Sequence, residues 1–330
     1  MVLIRFLKKA ICTYQKRKNL ADSMKNNLLI FVAVISFFTS CKTQPQSAKE
    51  KTISVTILPE KYFVESIAGD LVKVNLMIPP GASHSSYEPT AKQMNLLTQS
   101  EAYFKIGYLD FEQAWLPRFI GINSTMKIFD LSKGVTTLQG SCEHDHGENE
   151  SAFGKEELGI DPHIWMSARN VKIIATNILN SLISLYPEDS LVFSANYQKF
   201  LSEVNGIDSL YTMNAKKLEG LSFIIYHPAL AYLANDYGME QIVLEFDGKE
   251  PPPAHIREII DLAREKNIHI IFVQKQLSID NSRSLASEIN AEIIQIDPLD
   301  VNWSEQMKFI LDQFLKTSEI QKFSVTHSKP

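Results

Sequence analysis

The 330-residue chain is 45% hydrophobic and 22% charged, with a formal net charge of −5. That balance excludes a disordered or collagen-like polypeptide and supplies one large or two ordinary domains. A multi-span membrane protein is excluded as well, because only one stretch is membrane-directed in character.

That stretch, residues 27–40 (NLLIFVAVISFFTS), is almost wholly apolar. It is shorter than the ~20 residues a spanning helix needs and suits a signal-peptide core, an uncleaved anchor being the alternative. Lys25 precedes it, and Met24 is an alternative start. The run ends in Phe38-Thr39-Ser40-Cys41, a loose lipobox in which a small residue precedes a cysteine that becomes lipidated. Residues 1–40 are therefore expected to be a signal segment and Cys41 the lipid attachment point. The product would be an exported lipoprotein on the outer face of the cytoplasmic membrane, in a periplasm or at a cell surface. Without residues 1–40 the remaining 290 carry 26 basic and 37 acidic groups, a formal net of −11. This argues against nucleic acid or anionic lipid as a partner and suits a cationic ligand. Of the three cysteines, Cys12 is removed and Cys41 lipidated on this reading, so Cys142 has no intramolecular disulfide partner.

Residues 42–51 (KTQPQSAKEK) are polar and aperiodic, a flexible tether. Beyond them, short apolar runs at 53–58, 72–78, 102–106 and 127–131 predict buried strands, and 61–68 and 91–99 have helical spacing between them. Such a βα repeat implies a mostly parallel sheet covered on both sides. Residues 140–154 (GSCEHDHGENESAFG) interrupt the pattern as a polar surface loop. In 171–185, Val171, Ile174, Ile178, Leu182 and Leu185 share one helical face. After Pro187, residues 188–217 contain no proline and only Gly206, predicting one helix of ~45 Å at ~1.5 Å per residue. The βα pattern restarts with strands at 223–226, 242–246, 268–273 and 292–296, helices at 255–266 and 282–290, and a closing helix at 303–315. The expected organisation is a tether at 41–52, an N-terminal α/β lobe at 53–165, a helical region at 166–219, a C-terminal α/β lobe at 220–316 and a tail at 317–330. In fold class this is α/β: two similar lobes, each a mostly parallel sheet flanked by helices, joined by one long rigid helix. The ligand site would lie in the inter-lobe cleft, where such sheets gather ligands at strand carboxyl ends.

Four side chains fall at such places. His84 follows the turn Pro79-Pro80-Gly81, His163 precedes a helix in Asp161-Pro162-His163, His227 ends the strand at 223–226, and Asp297 ends the strand at 292–296. Imidazole nitrogens with one carboxylate oxygen suit a borderline divalent ion such as zinc and can take manganese. A surface or core role remains the alternative for each histidine on its own, and His255, His269 and His327 are read in that way.

The segments Pro79-Pro80-Gly81-Ala82-Ser83-His84-Ser85-Ser86-Tyr87-Glu88-Pro89-Thr90, Asp161-Pro162-His163-Ile164-Trp165, Tyr226-His227-Pro228-Ala229 with Tyr237-Gly238, and Ile296-Asp297-Pro298-Leu299 resemble the metal-binding class of ABC-importer solute-binding proteins, the ZnuA/TroA-like family. The resemblance runs over about residues 53–316 in the same order. It implies His84, His163, His227 and Asp297 as metal ligands, no catalytic role, and a monomer that delivers its ion to the membrane permease of an ABC importer. The family usually reads Gly-x-x-Pro-His-x-Tyr-Glu-Pro; here Ser85 stands at the usual histidine and His84 at the usual proline. The alternative to a four-ligand site is therefore His163, His227 and Asp297 completed by water. A histidine at the third position resembles the zinc binders of the family and a glutamate the manganese binders, so His227 favours Zn(II), with Mn(II) or Fe(II) as alternatives. The stretch Glu143-His144-Asp145-His146 resembles a short form of the His-rich loop of zinc-type members, implying auxiliary capture by His144 and His146, with Cys142 beside them.

Rival readings are a zinc hydrolase, a metal-dependent surface adhesin, and a carrier of haem or a siderophore. The hydrolase lacks a His-Glu-x-x-His stretch, a Gly-x-Ser-x-Gly motif and a phosphate-cradling loop. Only Glu245 or Asp247 could be nominated as its base. Nothing in the sequence specifies an adhesion partner, and a chelate carrier would want an aromatic or arginine-lined cleft.

Overall fold

The structure is a computed structural model that describes residues 14–15, 50–82, 87–140, 159–246 and 249–327. Met1–Glu50 forms one unit and Lys51–Pro330 another. The first is described only at residues 14–15 and 50, so the expected signal core, Cys41 and most of the tether lie outside the described residues. So do His84, Cys142, His144, His146 and Asp247.

The second unit holds two four-stranded sheets of like design. The first has β1 (Thr52–Val55), β2 (Lys73–Leu76), β3 (Ala102–Lys105) and β4 (Lys127–Asp130) in the order β2-β1-β3-β4. The second has β5 (Ser222–Ile225), β6 (Glu240–Val243), β7 (Ile270–Gln274) and β8 (Glu292–Ile296) in the order β6-β5-β7-β8. Every strand pair is parallel. Strands β1, β5 and β7 are buried along their whole length, as an interior strand covered on both faces must be. The helices are α1 (Leu58–Ala68), α2 (Ala91–Leu97), α3 (Asp110–Ile122), α4 (Ala168–Leu185), α5 (Ser190–Met213), α6 (Ala215–Leu218), α7 (Ala231–Tyr237), α8 (Pro253–Glu265), α9 (Asp280–Ile289) and α10 (Trp303–His327).

The eight expected strands all form, the last at its expected bounds and the others with shifted ends. The first stops at Val55 because Pro59 sits in the first turn of α1, where its fixed φ favours a helix. The Glu60 carboxyl group then accepts from Thr56 N at 2.8 Å through Oε2, satisfying a donor at the helix start. Lys51, expected in the tether, is already part of the fold: its ammonium reaches Glu188 at 2.7 Å and Asp189, and lies 4.7 Å from the Tyr186 ring centre. On α4, Val171, Ile174, Ile178 and Leu182 are buried together, as their spacing requires, with Ser167 Oγ accepting from Asn170 N at the cap.

The single helix expected over 188–217 is divided. A 3₁₀ turn at Pro187–Asp189 leads into the 24-residue α5, and Asn214 separates α5 from α6. The Asn214 side chain donates to the carbonyl of Leu210 at 2.9 Å, the local competition that makes asparagine a poor interior helix residue. At ~1.5 Å per residue α5 spans about 36 Å. At the other end of the chain, α10 continues through His327 into the segment expected as a tail.

The long helix is not what alone joins the lobes. One apolar core runs from Ile53 and Phe104 in the first lobe to Phe223, Phe272 and Phe314 in the second, and a smaller cluster around Ile271 and Leu285 covers the far face of the second sheet. Phe63 of α1 meets Trp303 of α10 edge to face at 5.6 Å. The indole of Trp303 donates to the carbonyl of Trp165 at 2.7 Å, and Trp165 in turn donates to the carbonyl of Pro298 at 2.8 Å. On α5, Glu203 accepts from both Tyr62 of α1 and Ser304 of α10.

The first lobe also buries two carboxyl groups. Glu112 accepts from Ile106 N at 2.9 Å and Gly107 N at 2.6 Å, and Thr56 Oγ1, next to the Tyr103 hydroxyl at 2.8 Å, lies against it. Burial first, and the neighbouring Glu112 second, hold the Glu60 carboxyl well above its ordinary value of 4.5. The folded state thus keeps a proton that the unfolded chain releases above that value. The stability it supports is complete below about pH 4.5 and is lost as pH rises toward the raised folded value, at about 1.4 kcal/mol per unit. Wild type is therefore expected to lose melting temperature relative to Glu60→Gln as pH rises above about 4.5, at about 2 °C per kcal/mol for a chain of this size. Paired thermal scans across pH test this, and a constant difference would refute it.

Candidate metal centre

In parallel sheets of this order the chain turns opposite ways from the two central strands, and the crevice forms past their carboxyl ends. His227 lies there, two residues beyond β5 and beside the end of β7. His163 comes from the segment before α4. Its turn is fixed by Asp161, whose Oδ1 accepts from His163 N at 2.8 Å and sits 2.9 Å from His163 Nδ1. The Tyr232 hydroxyl holds the same turn by donating to the Asp161 carbonyl at 2.8 Å.

The two imidazoles meet edge to face, centres 5.2 Å apart at 74°. His163 is 3% exposed and packs 5.2 Å from the Trp165 ring, whereas the His227 side chain is 31% exposed. Each has a carboxylate on Nδ1: Asp161 for His163 and, at 2.8 Å, Glu245 for His227. A carboxylate there selects the Nδ1–H tautomer, which puts the ring's lone pair on Nε2, the form in which a histidine binds metal. Both rings line a cavity of about 410 Å³, together with Glu245, Gln274 and Leu299 from the second lobe and Asp110 from the first.

Asp297 follows β8 directly, and one of its carboxylate oxygens is engaged by neighbours in the second lobe. Its Oδ1 accepts from Gln276 Nε2 at 2.9 Å and from Leu299 N at 3.0 Å. Among the described residues no three His, Cys, Asp or Glu side chains gather closely enough to hold an ion. Of the sequence-predicted ligands, His163 and His227 are thus brought together and Asp297 is not gathered with them. His84, His144 and His146 lie outside the described residues.

Two of the histidines read as structural or surface lie among the described residues with described neighbours. His269 has its ring nitrogens near the Asn290 carbonyl and, at 3.1 Å, the Asn267 side chain. His255 packs 5.2 Å from Phe246. Sequence reasoning missed Gln274 and Gln276, and considered Glu245 only as a hydrolytic base. The available signal was a glutamine closing the apolar run Ile-Ile-Phe-Val of β7, where an amide in a buried strand needs partners.

The family profile described as "Zinc-uptake complex component A periplasmic" (ZnuA) matches residues 53–317. The zinc-binding lipoprotein AdcA of Streptococcus pneumoniae serotype 4 is 24% identical over 288 residues, covering 86% of this chain and 57% of AdcA. This chain therefore spans little more than half the length of that relative. The high-affinity zinc uptake system protein ZnuA of Bacillus subtilis is 27% identical over 268 residues, covering 79% of this chain and 83% of that one. A crystal structure of ZnuA superposes with a TM-score of 0.73 at 34% identity, covering 82% of this chain and 99% of the other.

Proposed function

The chain belongs to the ZnuA family of periplasmic zinc-uptake components, and from that premise we propose that it captures Zn(II) outside the cytoplasm and passes it to the membrane permease of an ABC importer. Members of this family are solute-binding proteins, not enzymes. The observation that carries the proposal is the contacting pair His163 and His227, each with a carboxylate on Nδ1, lining one cavity. Two imidazoles make a nitrogen-rich site, which suits zinc better than manganese. In the loaded state Asp297 would supply a carboxylate oxygen, with His84 or water as the fourth ligand. Anchoring through Cys41, action as a monomer, and a capture role for His144 and His146 belong to the same proposal.

Titrating metal-free residues 42–330 calorimetrically with zinc and manganese, with elemental analysis of the protein as isolated, tests it. One zinc per chain, bound at least about tenfold more tightly than manganese, is expected from the donor set. Failure to bind either ion tightly would overturn the proposal and point to a chelated metal as cargo.

A further inference from the structure

Two side chains hold the second lobe's half of the site, and neither belongs to the motifs that mark the ligands. Glu245, two residues past β6 and with its side chain 12% exposed, places Oε1 2.8 Å from His227 Nδ1. Gln274, the last residue of β7 and 5% exposed, grips the backbone of the same histidine. Its Nε2 donates to the His227 carbonyl at 2.6 Å, and His227 N donates to its Oε1 at 3.3 Å. Because the strand order is β6-β5-β7, the histidine beyond the middle strand is straddled by one side chain from each flanking strand.

Resting on the metal-binding reading above, we propose that Glu245 and Gln274 are the positioning residues of this site, Gln274 fixing where the His227 peptide stands and Glu245 fixing how its imidazole turns and which nitrogen carries the proton. A neutral imidazole in water prefers the proton on Nε2, which is the wrong tautomer for binding metal through that atom. A carboxylate on Nδ1 reverses the preference and makes the ring a stronger donor. His163 obtains both services from Asp161, two residues away in its own turn. His227 obtains them from residues 18 and 47 positions along the chain, so only the assembled sheet provides them. Gln276, two residues past the end of β7, donates instead to the carboxylate of Asp297. The segment that closes β7 therefore bonds both second-lobe residues proposed as ligands.

The test compares wild type with Glu245→Leu and Glu245→Gln in the full chain. Long-range ¹H–¹⁵N spectra of the metal-free proteins report the His227 tautomer, and calorimetry reports zinc affinity. Wild type is expected to show the Nδ1–H form. The leucine variant should shift to Nε2–H and lose roughly 10–100-fold in zinc affinity, the usual range for removing such a partner. The glutamine variant, whose amide oxygen still accepts from Nδ1, should keep the Nδ1–H tautomer and recover part of the affinity. A leucine variant with an unchanged tautomer and zinc affinity within about twofold of wild type would overturn the proposal. If the leucine variant fails to fold, Glu245→Asp, one methylene shorter, carries the same comparison. Failure of the metal reading is distinguishable: wild type would then hold the Nδ1–H tautomer while binding no zinc.

Discussion

Replacing His227 with alanine is expected to lower zinc affinity by at least about tenfold, and by more than replacing the Glu245 behind it. The reason is geometric. His163 and His227 are the two predicted ligands that the structure already brings into edge-to-face contact, so alanine removes half of the preformed pair. The protein should otherwise survive the change. The His227 ring is partly exposed beyond a strand end, and Gln274 bonds its backbone, which alanine retains. Melting temperature should therefore stay close to wild type while competition against a chromophoric chelator reports the lost affinity. A variant that binds zinc as wild type does would remove His227 from the site.

Trp303→Ala is expected to have the largest effect on stability. The indole is 1% exposed, packs on Phe63 of the other lobe and donates to the Trp165 carbonyl. Truncating a buried tryptophan typically destabilises by about 3–5 kcal/mol, or on the order of 10 °C for a chain of this size. Because the core through Trp303 belongs to both lobes, both should melt together in one transition at the lower temperature. Two separated transitions with only one of them displaced would show that the lobes hold independent cores. Calorimetric scanning distinguishes the outcomes.

Much of this architecture is legible in the residues themselves. Alternation of short apolar runs with helical spacings locates all eight strands, and the one-sided pattern of Val171, Ile174, Ile178 and Leu182 gives the buried face of α4. What escapes is whatever a side chain decides locally against the pattern: Pro59 and Glu60 ending β1 early, and Asn214 dividing the long helix. The site divides in the same way. His163, His227 and Asp297 sit at strand ends or helix starts, which sequence periodicity locates. Glu245 and Gln274 become partners of His227 only through the order of the strands. Neighbours across a sheet leave no spacing signal along the chain, and nothing in the sequence shows that Gln276 bonds Oδ1 of Asp297.

The edge-to-face contact of Phe63 with Trp303 also bears on when the molecule can fold. Its two rings come from the first and last helices of the two-lobed unit, so the N-terminal lobe cannot complete its core until the final helix has been made and has returned to it. Contacts between residues so distant in sequence form slowly, because the intervening chain must close before any gain is realised. While the chain is being made from its N-terminus, that delay leaves the first lobe without its finished core until the last helix arrives.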